Sequence, residues 1–185
     1  MDFTTGADAD RDAYIEKIIE AASRWIDNWT GRRFFASAET RYYSPEFWDE
    51  IDVDDLLSVT TLKTDPNLDR TFSDLWETTD FDLMPLNAAS DNIPFYKIEV
   101  APGGTYSFIR GNKTVQIIGS FGYSATTPKE IERACFLLTL RLYKRDDTPL
   151  GVSAAGGVGT QSVVIPAIVN DPDIVGLLAG FRKLI

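Results

Sequence analysis

Positions 49–55, Asp49-Glu50-Ile51-Asp52-Val53-Asp54-Asp55, set carboxylates at alternating places, and carboxylate oxygens are the donors that gather a hard cation such as calcium. The run lacks the loop glycine and the closing bidentate glutamate of an EF-hand, so a solvated acidic face of Asp49, Glu50, Asp52, Asp54 and Asp55 is expected there instead of a metal centre. A pair of carboxylates for glycoside hydrolysis could be drawn from the same residues, but nothing in the sequence fixes their separation. Trp25, Trp29, Trp48 and Trp76 could stack on a sugar; the first two lie on a helical stripe and are expected in a core. Gly156-Gly157-Val158-Gly159-Thr160 has the glycines of a phosphate cradle without the lysine that supplies its charge, and reads as a tether.

The absence of histidine removes the usual general base at neutral pH and every nucleophile–histidine pair. Cys135 is the one cysteine, too few for a disulfide framework or a zinc cluster, and its apolar neighbours make it a small core residue. No catalytic residue, cofactor or metal ligand is therefore expected. At 185 residues, 44% hydrophobic and 25% charged, the chain is long enough for one real core, or a core plus a small satellite. Its formal charge of -10 opposes binding to nucleic acid or anionic lipid, and that charge is concentrated: residues 46–82 hold twelve carboxylates against Lys63 and Arg70. The first residues are polar and acidic, and no apolar run approaches membrane-span length, so the protein is expected to stay where it is made, away from membranes.

The elements that must position these residues follow from periodicity. Over residues 10–29 the apolar Tyr14, Ile15, Ile18, Ile19, Ala22, Trp25, Ile26 and Trp29 recur three and four apart, which predicts an amphipathic helix closed at Thr30-Gly31. Short β-branched and aromatic runs at 40–43, 58–63, 81–84, 95–100, 105–109 and 114–121 predict strands of a small antiparallel unit occupying about 40–123. Thr127-Pro128-Lys129-Glu130 announces a second helix to about residue 144, with Thr127 as cap. Ile131, Cys135, Leu138 and Leu142 form one stripe of it and Phe136, Leu137, Leu140 and Tyr143 a second, so it must be covered from more than one side. Its cations Lys129, Arg133, Arg141, Lys144 and Arg145 are expected to be simply solvated.

The fold class expected is α+β: a helical core with an inserted antiparallel β unit, a body spanning residues 1–150, and an arm spanning 151–185. Residues 151–162 are rich in Gly, Ala, Ser and Thr and read as a mobile connection. Beyond it, Val163-Val164-Ile165 is short and extended, and Asn170-Asp171-Pro172-Asp173 caps a last helix carrying Ile174, Leu177, Leu178, Phe181 and Leu184. An apolar segment on a glycine-rich tether either folds back on its own core or grips another protein, and docking on a partner is the expectation.

Taken in order, Ala21-Ala22 with Trp25-Ile26, Thr30-Gly31-Arg32-Arg33-Phe34, Leu56-Leu57-Ser58-Val59-Thr60, Asp80-Phe81-Asp82-Leu83-Met84-Pro85-Leu86-Asn87, Val115-Gln116-Ile117-Ile118-Gly119-Ser120-Phe121-Gly122-Tyr123, the stretch 128–151 and Asp171-Pro172-Asp173-Ile174 resemble the head-to-tail connector (adaptor) proteins of long-tailed bacteriophages and related gene transfer agents. The resemblance implies a non-enzymatic virion neck protein: a homo-oligomeric ring, usually twelve-fold, seated between the portal and the stopper or next tail protein, through which double-stranded DNA passes without sequence-specific binding. By position it implies a portal-docking tail containing Val163, Val164, Ile165, Ile168, Ile174, Leu177, Leu178, Phe181 and Arg182. It also implies subunit packing through Arg32, Arg33 and Phe34 and through the second helix with Phe136, Leu137, Leu140 and Tyr143. The alternative is a β-rich carbohydrate-binding or hydrolytic domain built on the tryptophans and the acidic run.

Overall fold

In the computed structural model, which describes residues 9–146, 152–153, 163–164 and 171–183, the first apolar stripe winds into helix α1 (Ala9–Thr30). Ile18, Ala22, Ile26 and Thr30 fall four apart and are buried together, while Asp10 and Asp12 sit in the first turn, where the helix dipole favours negative charge. The Thr30 hydroxyl donates back to the Ile26 carbonyl at 2.8 Å, and Gly31, at φ +68°, closes the helix as expected. The chain divides into two compact units: its ends, Met1–Gly31 with Pro128–Ile185, form one, and its middle, Arg32–Thr127, forms the other.

The middle unit is an antiparallel sheet in the order β1-β6-β2-β5-β4, with β3 paired to a further stretch of β2. Its strands are β1 (Ser37–Tyr43), β2 (Glu50–Thr64), β3 (Asp74–Trp76), β4 (Phe81–Met84), β5 (Phe95–Val100) and β6 (Val115–Phe121), and a short helix α2 (Ala88–Asp91) follows β4. The long β2 is central because its apolar residues Ile51, Val53, Leu56 and Leu62 pack with Ile98, Val115, Ile117 and Phe121. Trp76 stacks on Phe108 with ring centroids 4.8 Å apart, and its indole N–H donates to Thr64 at 3.0 Å, so a buried tryptophan leaves no donor unmet.

Two sequence expectations change here. The strand expected at 58–63 starts earlier, at Glu50, and so takes in most of the acidic run, and β3 lies outside the expected strands. Conversely, residues 105–109 form no strand; Tyr106 and Phe108 alternate inward as a strand would, but the stretch is held by the bond from Phe108 N–H to the Trp48 carbonyl at 2.8 Å and by side-chain bonds to Thr105 N–H and the Ile109 carbonyl, with no ladder.

In the helical unit, α3 (Lys129–Asp146) buries Ile131, Ala134 and Leu138 and carries Glu130 and Glu132 at its start and Lys144 and Arg145 at its end. The Pro128 carbonyl accepts the N–H groups of Ile131 and Glu132, whereas the Thr127 hydroxyl donates to the Phe34 carbonyl instead of serving as the expected cap. Cys135 is half-buried, and burial pushes its thiol pKa up, in keeping with an unreactive packing residue. Helix α4 (Pro172–Leu178) packs on α3 and runs into a 3-10 turn, Ala179–Phe181. Asp171 caps it by accepting from the N–H groups of Asp173 and Ile174. Two-residue strands β7 (Val152–Ser153) and β8 (Val163–Val164) pair antiparallel, so the two ends of the glycine-rich stretch are held side by side.

Candidate functional site

The acidic strand is electrostatically less bare than its sequence. Alternation puts Glu50, Asp52 and Asp54 on the face of β2 opposite the buried Ile51 and Val53. Glu50 pairs with Lys97 at 2.7 Å and Asp54 with Arg41 at 2.7 Å. The same alternation puts Asp55 on the buried face with Ile51 and Val53, where it is 7% exposed and meets Arg32 at 2.5 Å. Asp55 is thus a correction to the expected acidic face, which keeps Asp49, Glu50, Asp52 and Asp54. No group of three or more carboxylate or thiol ligands able to hold a metal ion occurs among the described residues.

Two further buried carboxylates are spent on loops. Asp65 accepts from the backbone N–H groups of Asp69 and Arg70, and Asp80 from those of Glu77 and Thr105. The bonds from Thr105 and Glu77 hold the Asp80 carboxyl below the usual aspartate range, which makes it a poor general acid. Of the tryptophans, Trp25 and Trp29 stack on each other along α1 at 6.3 Å, Trp76 is core of the β unit, and Trp48 is largely exposed, at 62%.

The corner after α1 is likewise committed within its own unit. Arg32 pairs with Asp55 and lies over Tyr123 at 5.3 Å; Arg33 bonds Glu39 at 2.6 Å and the Phe121 carbonyl at 3.0 Å. Phe34 is 4% exposed with its ring 5.5 Å from that of Tyr123, so it is buried within its own chain and offers almost no surface to a subunit seam, contrary to expectation.

Glu39 sits at the centre of a charged cluster on β1. The Ser37 hydroxyl, Arg33 and Arg41 all donate to it and lower its pKa from 4.5 to about 2. A carboxyl depressed in the folded state contributes stability that is complete above its unfolded pKa and disappears as pH falls through the folded value. The wild type is expected to lose stability between about pH 4.5 and 2 more steeply than Glu39→Gln, as read by urea midpoints at a series of pH values. Parallel curves for the two proteins would show that the cluster contributes nothing.

The C-terminal residues split into two sets. Ile174 and Leu178 are fully buried, and Arg141 of α3 pairs with both Asp171 and Asp173. The Lys183 N–H donates to the Thr30 carbonyl at 2.8 Å and Arg182 lies over Trp29 at 5.6 Å. Ile174 and Leu178, expected as docking anchors, are instead core of the helical unit: their four-residue spacing puts both on the single face that α4 turns inward. Leu177 and Phe181 are half-buried and Arg182 is exposed. Val163 and Val164 lie in β8, while Ile165 and Ile168 fall outside the described residues.

Part of the second stripe of α3 is left open by the described residues. Phe136 is 57% and Leu140 39% exposed, and together with Ile15, Ile18, Thr139, Tyr143 and Arg11 they line an apolar groove of about 190 Å³ between α1 and α3. Leu137 is half-buried. An uncovered apolar stripe on a helix is the mark of an interaction surface, and the expectation that α3 needs cover from a second side fits this arrangement.

No protein-family model and no curated protein matches the sequence. Solved structures do match in fold. A chain in the neck of a native gene transfer agent (GTA) particle computed with C12 symmetry is similar at a TM-score of 0.57 and 17% identity, covering 93% of this chain and 83% of that one. The neck of an empty GTA particle computed with C6 symmetry contains a chain similar at 0.56 and 17%, covering 97% of this chain and 81% of that one. A chain of the native GTA virion is similar at 0.58 and 16%, over 100% of this chain and 83% of that one. The α+β class with an inserted antiparallel sheet is thus shared from end to end with chains of such particles.

Proposed function

We propose that this chain is a structural protein of a virion neck, many copies of which form a closed ring between the portal and the stopper or tail. The observation that carries this is the fold likeness over nearly the whole chain to neck chains of gene transfer agent particles, one reconstructed with twelve-fold symmetry. The open apolar stripe on α3 supports it, since a subunit of a ring needs one face for its interior and another for its neighbour. The ring extends the DNA channel and carries out no reaction; the buried carboxylates are committed to backbone and arginine partners.

Portal docking belongs to the C-terminal segment apart from Ile174 and Leu178: Val163, Val164, Ile165 and Ile168, together with Leu177, Phe181 and Arg182, of which Leu177 and Phe181 are half-buried and Arg182 exposed. The charge of -10 per copy, multiplied around a ring, keeps duplex DNA sliding instead of sticking. Deleting the gene from its particle is expected to leave DNA-filled heads without tails, visible by electron microscopy. Complete, tailed, infective or transducing particles made without it would overturn the proposal.

A further inference from the structure

The loop joining β1 to β2 puts two large aromatics into solvent. Phe47 is 51% and Trp48 62% exposed, and they are flanked by Glu46 and Asp49. The loop is not loose: the Trp48 carbonyl accepts the Phe108 N–H and the Asp49 carbonyl accepts the Val100 N–H, each at 2.8 Å. A fixed backbone presenting an exposed tryptophan and phenylalanine has already met the ordering cost that binding would otherwise impose.

The groove between α1 and α3 is its complement in shape class and in charge. Ile15, Ile18, Phe136 and Leu140 line it, and none of its lining residues is acidic. Arg11 lines it, and the Arg133 guanidinium lies 5.5 Å from the Phe136 ring; the nearby Glu132 is taken by Lys129 at 2.7 Å. An aromatic pair framed by two carboxylates matches an apolar slot framed by two arginines, whereas groove against groove would set arginines against each other. Phe47, Trp48, Phe136 and Leu140 all remain exposed, so among the described residues nothing fills either feature.

We propose that the Glu46-Phe47-Trp48-Asp49 loop of one copy inserts into the α1–α3 groove of the next. This rests on the ring reading above and specifies its seam: two different patches joined head to tail make a heterologous contact, which closes into a ring when the rotation closes.

The test uses the full chain with Cys135→Ala as background, adding Glu46→Cys and Arg133→Cys together or singly, under mild oxidation. With both cysteines present, a ladder of disulfide-linked multimers up to the ring size is expected, lost when Trp48→Ala is added; each single variant alone should stay unlinked. Native mass spectrometry of the same samples reads the ring itself. Rings without the ladder would overturn the loop-in-groove seam while leaving the ring intact. Dimers from Arg133→Cys alone would mean that groove faces groove and would also overturn it. A chain that stays monomeric throughout would remove both the ring and the seam.

Discussion

Leu178→Asp is expected to unfold the helical unit, and Leu178→Ala to destabilise it by about 2–5 kcal/mol, the range for emptying a leucine site in a core. Leu178 is fully buried, as is Ile174 one turn earlier, and Asp171 fastens the start of the same helix through its cap and its pairing with Arg141. An aspartate at 178 would add an unpaired carboxylate to an apolar site, a cost beyond the lost contacts. Calorimetry of the alanine variant should show Tm lower by roughly 5–15 °C, given the size of the chain. An unchanged Tm together with lost portal binding would show that α4 serves the partner and not its own interior.

The second large effect concerns the centre of the sheet. Gly119 of β6 pairs with Glu39 of β1 on one side and Val59 of β2 on the other. A Cβ there would stand 2.2 Å from the Ser58 carbonyl oxygen, and the obstacle is backbone held in a ladder, not the movable end of a side chain. Gly119→Ala is expected to cost about 3 kcal/mol or more, at or above the upper end of ordinary overpacking. Gly176→Ala makes the contrast: it lies on α4 with nothing within 4 Å of the added methyl, and helix propensity should make it neutral or stabilising by about 0.5–1 kcal/mol. Urea midpoints of the two variants separate close approach from loss of a generic glycine. Equal midpoints would mean that β2 and β6 can spread without penalty.

The helices were legible because their signal is local. Ile18, Ala22 and Ile26 recur at one-turn spacing, and Gly31 takes the left-handed conformation that its place after Thr30 required. The β unit was legible as a class and less so in detail. Ile51 and Val53 alternate with Glu50, Asp52 and Asp54 as a half-buried strand must, but two apolar residues among five carboxylates fit a solvated acidic face equally well. Three residues of β3 carry too little pattern to register, whereas the inward place of Asp55, two residues on from Val53, follows from alternation once β2 is seen to start at Glu50.

The tail shows where periodicity runs out. The spacing of Ile174 and Leu178 declares an apolar face, yet it says nothing of whose surface that face will cover. The residues that settle it are remote in sequence: α3 supplies the packing partner and Arg141, and Thr30 accepts the backbone of Lys183. In the same way, the second stripe of α3 announced a need for cover, while the acidic aromatic loop at 46–49 became conspicuous only once its exposure and its fixed backbone were seen.

The neck assignment is tested most directly by electron microscopy of the full chain mixed with the portal ring from its own particle. A closed ring of this chain stacked coaxially on the portal, with an open central channel, is the predicted result. Portals that remain bare at saturating protein, or that carry the chain as scattered single copies with no ring, would contradict it.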